Sequence, residues 1–164
     1  MVRRSHRRGD HSRRARLPSL TMYLDSAIIV KLLVAEPDSD RFQSALIGKD
    51  LDTAELSILE VASALLGKER QGHISRRLRE RALSAFDEKL QSDEIRVLPI
   101  TSPTFLRARR FIDACHPDAA LRSLDALHLA ACDQHDAFPL CTNDSRLRTA
   151  AGQLGIPVFP QSLS

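Results

Sequence analysis

At 164 residues with 43% hydrophobic side chains, the chain suits one domain with a real core, and no apolar run approaches the ~18 residues of a membrane span. Its three cysteines, Cys115, Cys132 and Cys141, are too few and too irregular for a disulfide framework or a Cys-x-x-Cys metal knuckle; the expected setting is the reducing cytoplasm, with the thiols as small buried hydrophobes. The formal charge of +3 misleads, because residues 1–21 hold seven arginines against one acid, a net of +6 that leaves the remainder at −3.

That basic segment lacks the apolar core of a secretory signal. It reads either as a disordered arm attracting phosphates without specificity or as upstream sequence preceding a true start at Met22. The rest, 22–164, reads as a single domain. Tyr23 and Leu24 end a first apolar strand, and a helix at about 26–35 carries Ile28, Ile29, Leu32 and Leu33 before Pro37. A short helix at 38–47 groups Phe42, Leu46 and Ile47, Gly48 ends it, and a weak strand follows at 51–54. Residues 57–70 and 74–91 read as helices separated by Gly72, and Ile95–Ile100 is the clearest strand. Helices at 103–114 and 123–135, a strand at 138–142, a helix at 145–153 and a strand at 155–159 complete the chain. Short strands alternating with helices predict an α/β fold, a parallel sheet of four or five strands with helices on both faces.

Four acids stand where apolar stretches meet helix starts: Asp25, Glu60, Asp125 and Asp144. Each has a structural explanation. Asp25 and Asp144 suit helix N-caps, Ser57-x-x-Glu60 has the form of a capping box, and Asp125 lies in the first turn after a potential Ser123 cap, where the helix dipole favours an anion. On a helical wheel Glu60 lies opposite Ile58, Ala62 and Leu65, as a solvent-facing acid would. Together they read differently, because a parallel sheet sends the ends of its strands and the starts of its helices to one edge. Two unit charges ~5 Å apart at an effective dielectric of ~20 repel by about 3 kcal/mol. Four clustered acids therefore call for a divalent cation, and carboxylate oxygens suit Mg²⁺ or Mn²⁺.

The frames around the acids resemble a known family. Met22-Tyr23-Leu24-Asp25-Ser26-Ala27 with Lys31-Leu32 and Glu36-Pro37, then Ser57-x-x-Glu60-Val61, Leu124-Asp125-Ala126-Leu127-His128-Leu129-Ala130, Thr142-Asn143-Asp144-x-x-Leu147 and Leu154-Gly155-Ile156-Pro157-Val158 resemble, in order, the motifs of PIN domains of the VapC-type ribonuclease toxins. The resemblance covers about residues 22–160. It implies a three-layer α/β/α sandwich and Mg²⁺- or Mn²⁺-dependent hydrolysis of RNA phosphodiesters. It also implies a homodimer and a VapB-like antitoxin partner whose C-terminal segment covers the groove. By the same resemblance Asp25, Asp125 and Asp144 are metal ligands, Glu60 binds a second metal or orients water, and Ser26 and Thr142 bond the carboxylates or substrate. Asn143 and Arg146 belong to the same low-order set of substrate contacts.

Other polar residues carry less. His128 reads as a packed helix residue, and the arginines at 76–81 and 107–110 as solvated faces, whereas Arg146 and Arg148, close behind Asp144, read as substrate contacts. An aromatic content of 4% without tryptophan argues against extensive base stacking. A haloacid-dehalogenase-like phosphatase needs a second aspartate where Ala27 stands, and a phospho-receiver module needs a lysine after its late strand. A catalytically silent PIN module binding RNA or protein is the remaining alternative, and retention of all four acids speaks against it.

Overall fold

The computed structural model describes residues 21–162, so the basic segment, apart from Thr21, lies outside the described residues. Five strands, β1 (Thr21–Leu24), β2 (Asp50–Ala54), β3 (Ile95–Leu98), β4 (Leu140–Cys141) and β5 (Val158–Phe159), form one sheet in the order β3-β2-β1-β4-β5. Every pairing is parallel. The chain builds outward from β1 to β2 and β3, then returns to the other flank of β1 for β4 and β5. The crevice where two neighbouring strands lead away in opposite directions therefore falls between β1 and β4, the position at which open α/β sheets bind ligands.

Among the described residues seven helices flank the sheet: α1 (Ser26–Leu33), α2 (Ser39–Leu46), α3 (Leu56–Arg70), α4 (Arg76–Gln91), α5 (Ser102–Cys115), α6 (Ser123–Gln134) and α7 (Ser145–Gln153). Alternation along β1 explains the layers, since successive side chains of a strand leave on opposite faces. Met22 and Leu24 pack with Ile28 and Ile29 of α1, Phe42 of α2, Val61 and Leu65 of α3 and Phe86 of α4. Tyr23 packs on the other face with Cys115 of α5, Leu129 and Cys132 of α6 and Leu147 and Ala150 of α7. A smaller cluster, Ala108, Ala126, Leu127 and Ala130, joins α5 to α6. The result is the expected α/β/α sandwich. The three cysteines are free and buried, and no helix among the described residues is long and apolar enough to cross a membrane.

Element ends follow local chemistry. α3 closes on a Schellman turn in which Gly72 N–H bonds Glu69 O and His73 N–H bonds Lys68 O, with Gly72 at φ +75°. α7 closes identically on Gly155, through Gly155 N–H to Gly152 O and Ile156 N–H to Ala151 O. The final strand is therefore shorter than the sequence suggests, because its first residues are spent on this turn. β3 stops at Leu98 rather than Ile100, since Pro99 has no N–H for the ladder; Ile100 N–H turns instead to Glu55 Oε2 at 2.9 Å. Ile47 lies past the end of α2 and is 79% exposed, so it does not share the buried side of Phe42 and Leu46.

Candidate active site

Asp25 follows β1 directly, and its backbone N–H bonds Cys141 O at the end of β4. As the N-cap of α1 it accepts the Ile28 N–H on Oδ1 at 2.8 Å, while the buried Thr142 hydroxyl donates to the same carboxylate. Thr142 Oγ1 in turn accepts the Asp144 N–H at 3.1 Å, so the neighbouring strand ends are tied through one hydroxyl. Asp144 caps α7, accepting Arg146 N–H and Leu147 N–H on Oδ1 at 2.8 and 3.0 Å. Asp25 and Asp144 are thus real caps. Capping and a site role are compatible, because a cap holds one carboxylate oxygen and leaves the other directed outward.

Asp125 sits in the first turn of α6. The expected Ser123 cap is absent: Arg122 occupies the cap position without a side-chain bond, and Ser123 already lies within the helix. The expected Ser57–Glu60 capping box is also absent. α3 starts one residue earlier, with Glu55 as its cap residue, and Ser57 is fully buried, bonded to Thr53 Oγ1 at 2.6 Å. Glu60 does not face open solvent either. Its Oε2 accepts Ser26 O–H and lies 2.8 Å from His128 Nε2. The wheel misled because Ser26 of α1 and His128 of α6 reach the acid from other helices, which no single-helix projection contains.

Asp25, Glu60, Asp125, Asp144, Ser26 and His128 line one open cleft of about 250 Å³ at the carboxyl edge of the sheet. Burial raises the pKa of Asp25, against the Thr142 and Ile28 hydrogen bonds that lower it, and the charge of Asp144 adds to the rise. Burial also raises Asp125, again reinforced by Asp144. For Glu60, burial is outweighed by the His128 and Ser26 hydrogen bonds, and its pKa is lowered. The cleft therefore gathers four acids, two of them raised by burial and by the charge of Asp144.

The donor set, all hard carboxylate oxygens, fits Mg²⁺ or Mn²⁺. Among the described residues no three His, Cys, Asp or Glu side chains are drawn into a ready metal cluster. Of the further residues, Asn143 bonds the Asp38 side chain, and Asp38 is paired with the buried Lys31. Arg146 reaches over the cleft rim, 3.8 Å from Asp144 Oδ2 and 40% exposed. Arg148, read from the sequence as a substrate contact, has its guanidinium bonded to the carbonyls of Thr142, Pro160 and Gln161. The arginine faces behave as expected, with Arg76 and Arg79 paired to Glu80 and Glu69 and Arg107 to Asp133. His128 is packed as expected but also lines the cleft; its place three residues after Asp125 on one helix face was the available signal.

These observations define an α/β protein with an acidic cleft at its sheet switch point, and comparisons with known proteins agree. The PIN-domain profile matches residues 22–153. The chain is 37% identical to Ribonuclease VapC46 of Mycobacterium tuberculosis, over 86% of this chain and 98% of that protein. The chain belongs to the PIN-domain family, in the branch that VapC46 represents. Among solved structures, FitAB bound to an IR36 DNA fragment aligns with a TM-score of 0.65 at 18% identity, covering 87% of this chain and 97% of that one. Mycobacterium tuberculosis VapC20, a sarcin-ricin loop cleaving toxin, aligns at 0.61 and 17% identity, covering 79% and 95%.

Proposed function

We propose that this protein is a metal-dependent endoribonuclease, the toxin half of a toxin–antitoxin pair. The observation that supports it most is the meeting of four acids in one cleft, two from the caps of α1 and α7 and two from within α3 and α6. Asp25, Asp125 and Asp144 would hold Mg²⁺ or Mn²⁺, with Glu60 as a further ligand or as the acceptor for the attacking water. Bound there, such an ion lowers the pKa of a coordinated water and neutralises charge on the scissile phosphate. In the hydrolysis a water oxygen bonds to phosphorus, one P–O ester bond breaks, and the departing oxygen gains a proton. The chain's own residues orient that step. Thr142 fixes Asp25, the α7 N-terminus fixes Asp144, Ser26 fixes Glu60, and Arg146 offers a cation to a phosphate of the RNA at the rim.

The kinship with Ribonuclease VapC46 supports RNA as the substrate. An antitoxin partner is supported by neighbours such as a Klebsiella pneumoniae toxin-antitoxin complex and by charge, since a partner arginine would pair with the cleft acids. A homodimer belongs to the same reading, with Phe105 and Leu106 of α5, 57% and 60% exposed, as apolar surface for it. Incubation of purified protein with total RNA and Mn²⁺, beside Asp25→Asn and Asp144→Asn, tests the proposal. Cleavage by the parent alone is expected. Equal cleavage by all three would sink it, and cleavage by none would favour a silent binding module.

A further inference from the structure

Every hydrogen bond to the Glu60 carboxylate among the described residues ends on Oε2. Ser26 O–H approaches it from α1 and His128 Nε2 from α6, the latter at 2.8 Å. Behind the imidazole, Nδ1 lies 2.8 Å from the Tyr23 hydroxyl, and the two rings meet edge to face with centroids 5.8 Å apart. Tyr23 is fully buried in the centre strand. Glu60 is thus the exposed end of a three-residue chain running from the sheet core into the cleft.

The proton inventory of this chain permits one arrangement. At neutral pH a phenol carries its proton. Among the described residues the hydrogen-bond partner of the Tyr23 oxygen is His128 Nδ1, so the O–H donates there. Nδ1 is then the acceptor, and the ring proton resides on Nε2, pointing at Glu60. The opposite tautomer would set the Nε2 lone pair against a carboxylate oxygen at hydrogen-bond distance. A ring protonated at both nitrogens would strand the tyrosine proton without an acceptor inside the core, a costly orphan.

We propose that Tyr23 and His128 are positioning residues for Glu60: the Tyr23 hydroxyl selects the Nε2–H tautomer of His128, which with Ser26 holds Oε2 and leaves Oε1 as the single oxygen presented to the cleft. This deepens the ribonuclease reading and rests on it for what Oε1 meets, a cation or a water. Outer partners of this kind fix the orientation of a ligating carboxylate, and their loss typically costs 10–100-fold in metal affinity. The chain was invisible in the motif, where tyrosine and histidine are ordinary apolar-face residues 105 positions apart.

Two measurements on the full-length protein test this. Long-range ¹H–¹⁵N spectra of histidine-labelled, metal-free protein should show His128 as the pure Nε2–H form, and Tyr23→Phe should convert it to a mixture. Calorimetric Mn²⁺ titration should show affinity lowered about 10-fold in Tyr23→Phe and at least as much in His128→Ala. His128→Gln should recover part of the loss, because the glutamine amide nitrogen can occupy the place of Nε2. Metal-free melting identifies any variant that is merely less stable, so that titrations are made on folded protein. An Nδ1–H form in the parent, or a tautomer unchanged in Tyr23→Phe, overturns the proposal. So does Mn²⁺ affinity equal to the parent's in both Tyr23→Phe and His128→Ala. A parent that binds no Mn²⁺ removes the metal reading of the cleft, and the tautomer spectra alone then decide the chain.

Discussion

Two buried aspartates on neighbouring strands of this sheet are treated in opposite ways. Asp52, inside β2, is 2% exposed and is gripped by the guanidinium of Arg96, its register partner on β3, through bonds of 2.8 and 2.6 Å. Asp25, one residue past the end of β1, is 4% exposed, and among the described residues its carboxylate is bonded by a hydroxyl and a backbone N–H rather than by a cation. A carboxylate whose task is structural is neutralised within the chain. Asp25 lacks such a guanidinium among the described residues, and burial raises its pKa, the pattern that the proposed ligand role would use.

The largest test of that contrast exchanges the two phenotypes. Asp25→Asn should lower RNA cleavage by at least about 100-fold while the metal-free protein melts no lower than the parent, since a buried unpaired charge is removed. Asp52→Asn should do the reverse, keeping cleavage and losing about 1 kcal/mol of stability in urea unfolding, a modest figure because Arg96 is half exposed. Loss of activity in both variants would mean that Asp25 and Asp52 do not differ in kind.

Ligand binding gives the next effect. Mn²⁺ at 100 times its dissociation constant should stabilise the parent by about 2.7 kcal/mol. Asp25→Asn and Asp144→Asn should lose most of that protection, whereas Asp52→Asn should retain it, as thermal melts with and without Mn²⁺ would show.

The pH dependence should follow the raised acids. Asp25 and Asp125 have folded pKa values above the ordinary 3.8, so between that value and their raised ones the native state binds more protons than the unfolded chain. Their contribution to stability is greatest at low pH and falls as pH rises through that window. Glu60 is lowered from 4.5 and contributes the opposite slope, present above its ordinary value and lost on acidification. Metal-free melts from the parent and Asp25→Asn should therefore converge towards acid pH and separate, in favour of the variant, as pH rises. A parent that gains on the variant over this range would contradict the unpaired-charge reading.

Arg146 provides the smallest effect. Removing one rim cation should weaken RNA binding at low salt and reduce the slope of log affinity against log salt by about 0.7, the value for one phosphate of a single strand. Arg148→Ala should instead lower stability with little change in slope, because its guanidinium braces the C-terminal carbonyls.

What was legible in the sequence was whatever a local rule governs. The periodicity of 26–35 and 123–135, the glycine that closes α3, and the caps Asp25 and Asp144 all express contacts within a few residues. The four acid frames were legible too, as a set. Local rules misled where a residue's partner lay far along the chain. Ser57 and Glu60 have the spacing of a capping box, yet one is buried against Thr53 and the other is held by Ser26 and His128. Arg148 stood in the right motif and proved to belong to the C-terminal carbonyls.

The amino-acid sequence by itself determined the alternation of strand and helix, the two apolar faces of β1 and the identity of the four acids, because turn chemistry and hydrophobic period are properties of short segments. Only the tertiary structure decided that those acids line one cleft, that Asp25 stays unpaired while Asp52 does not, and that Glu60 is reached through His128 from Tyr23. These depend on which strand ends lie side by side, and strand order is set by the packing of the whole sheet.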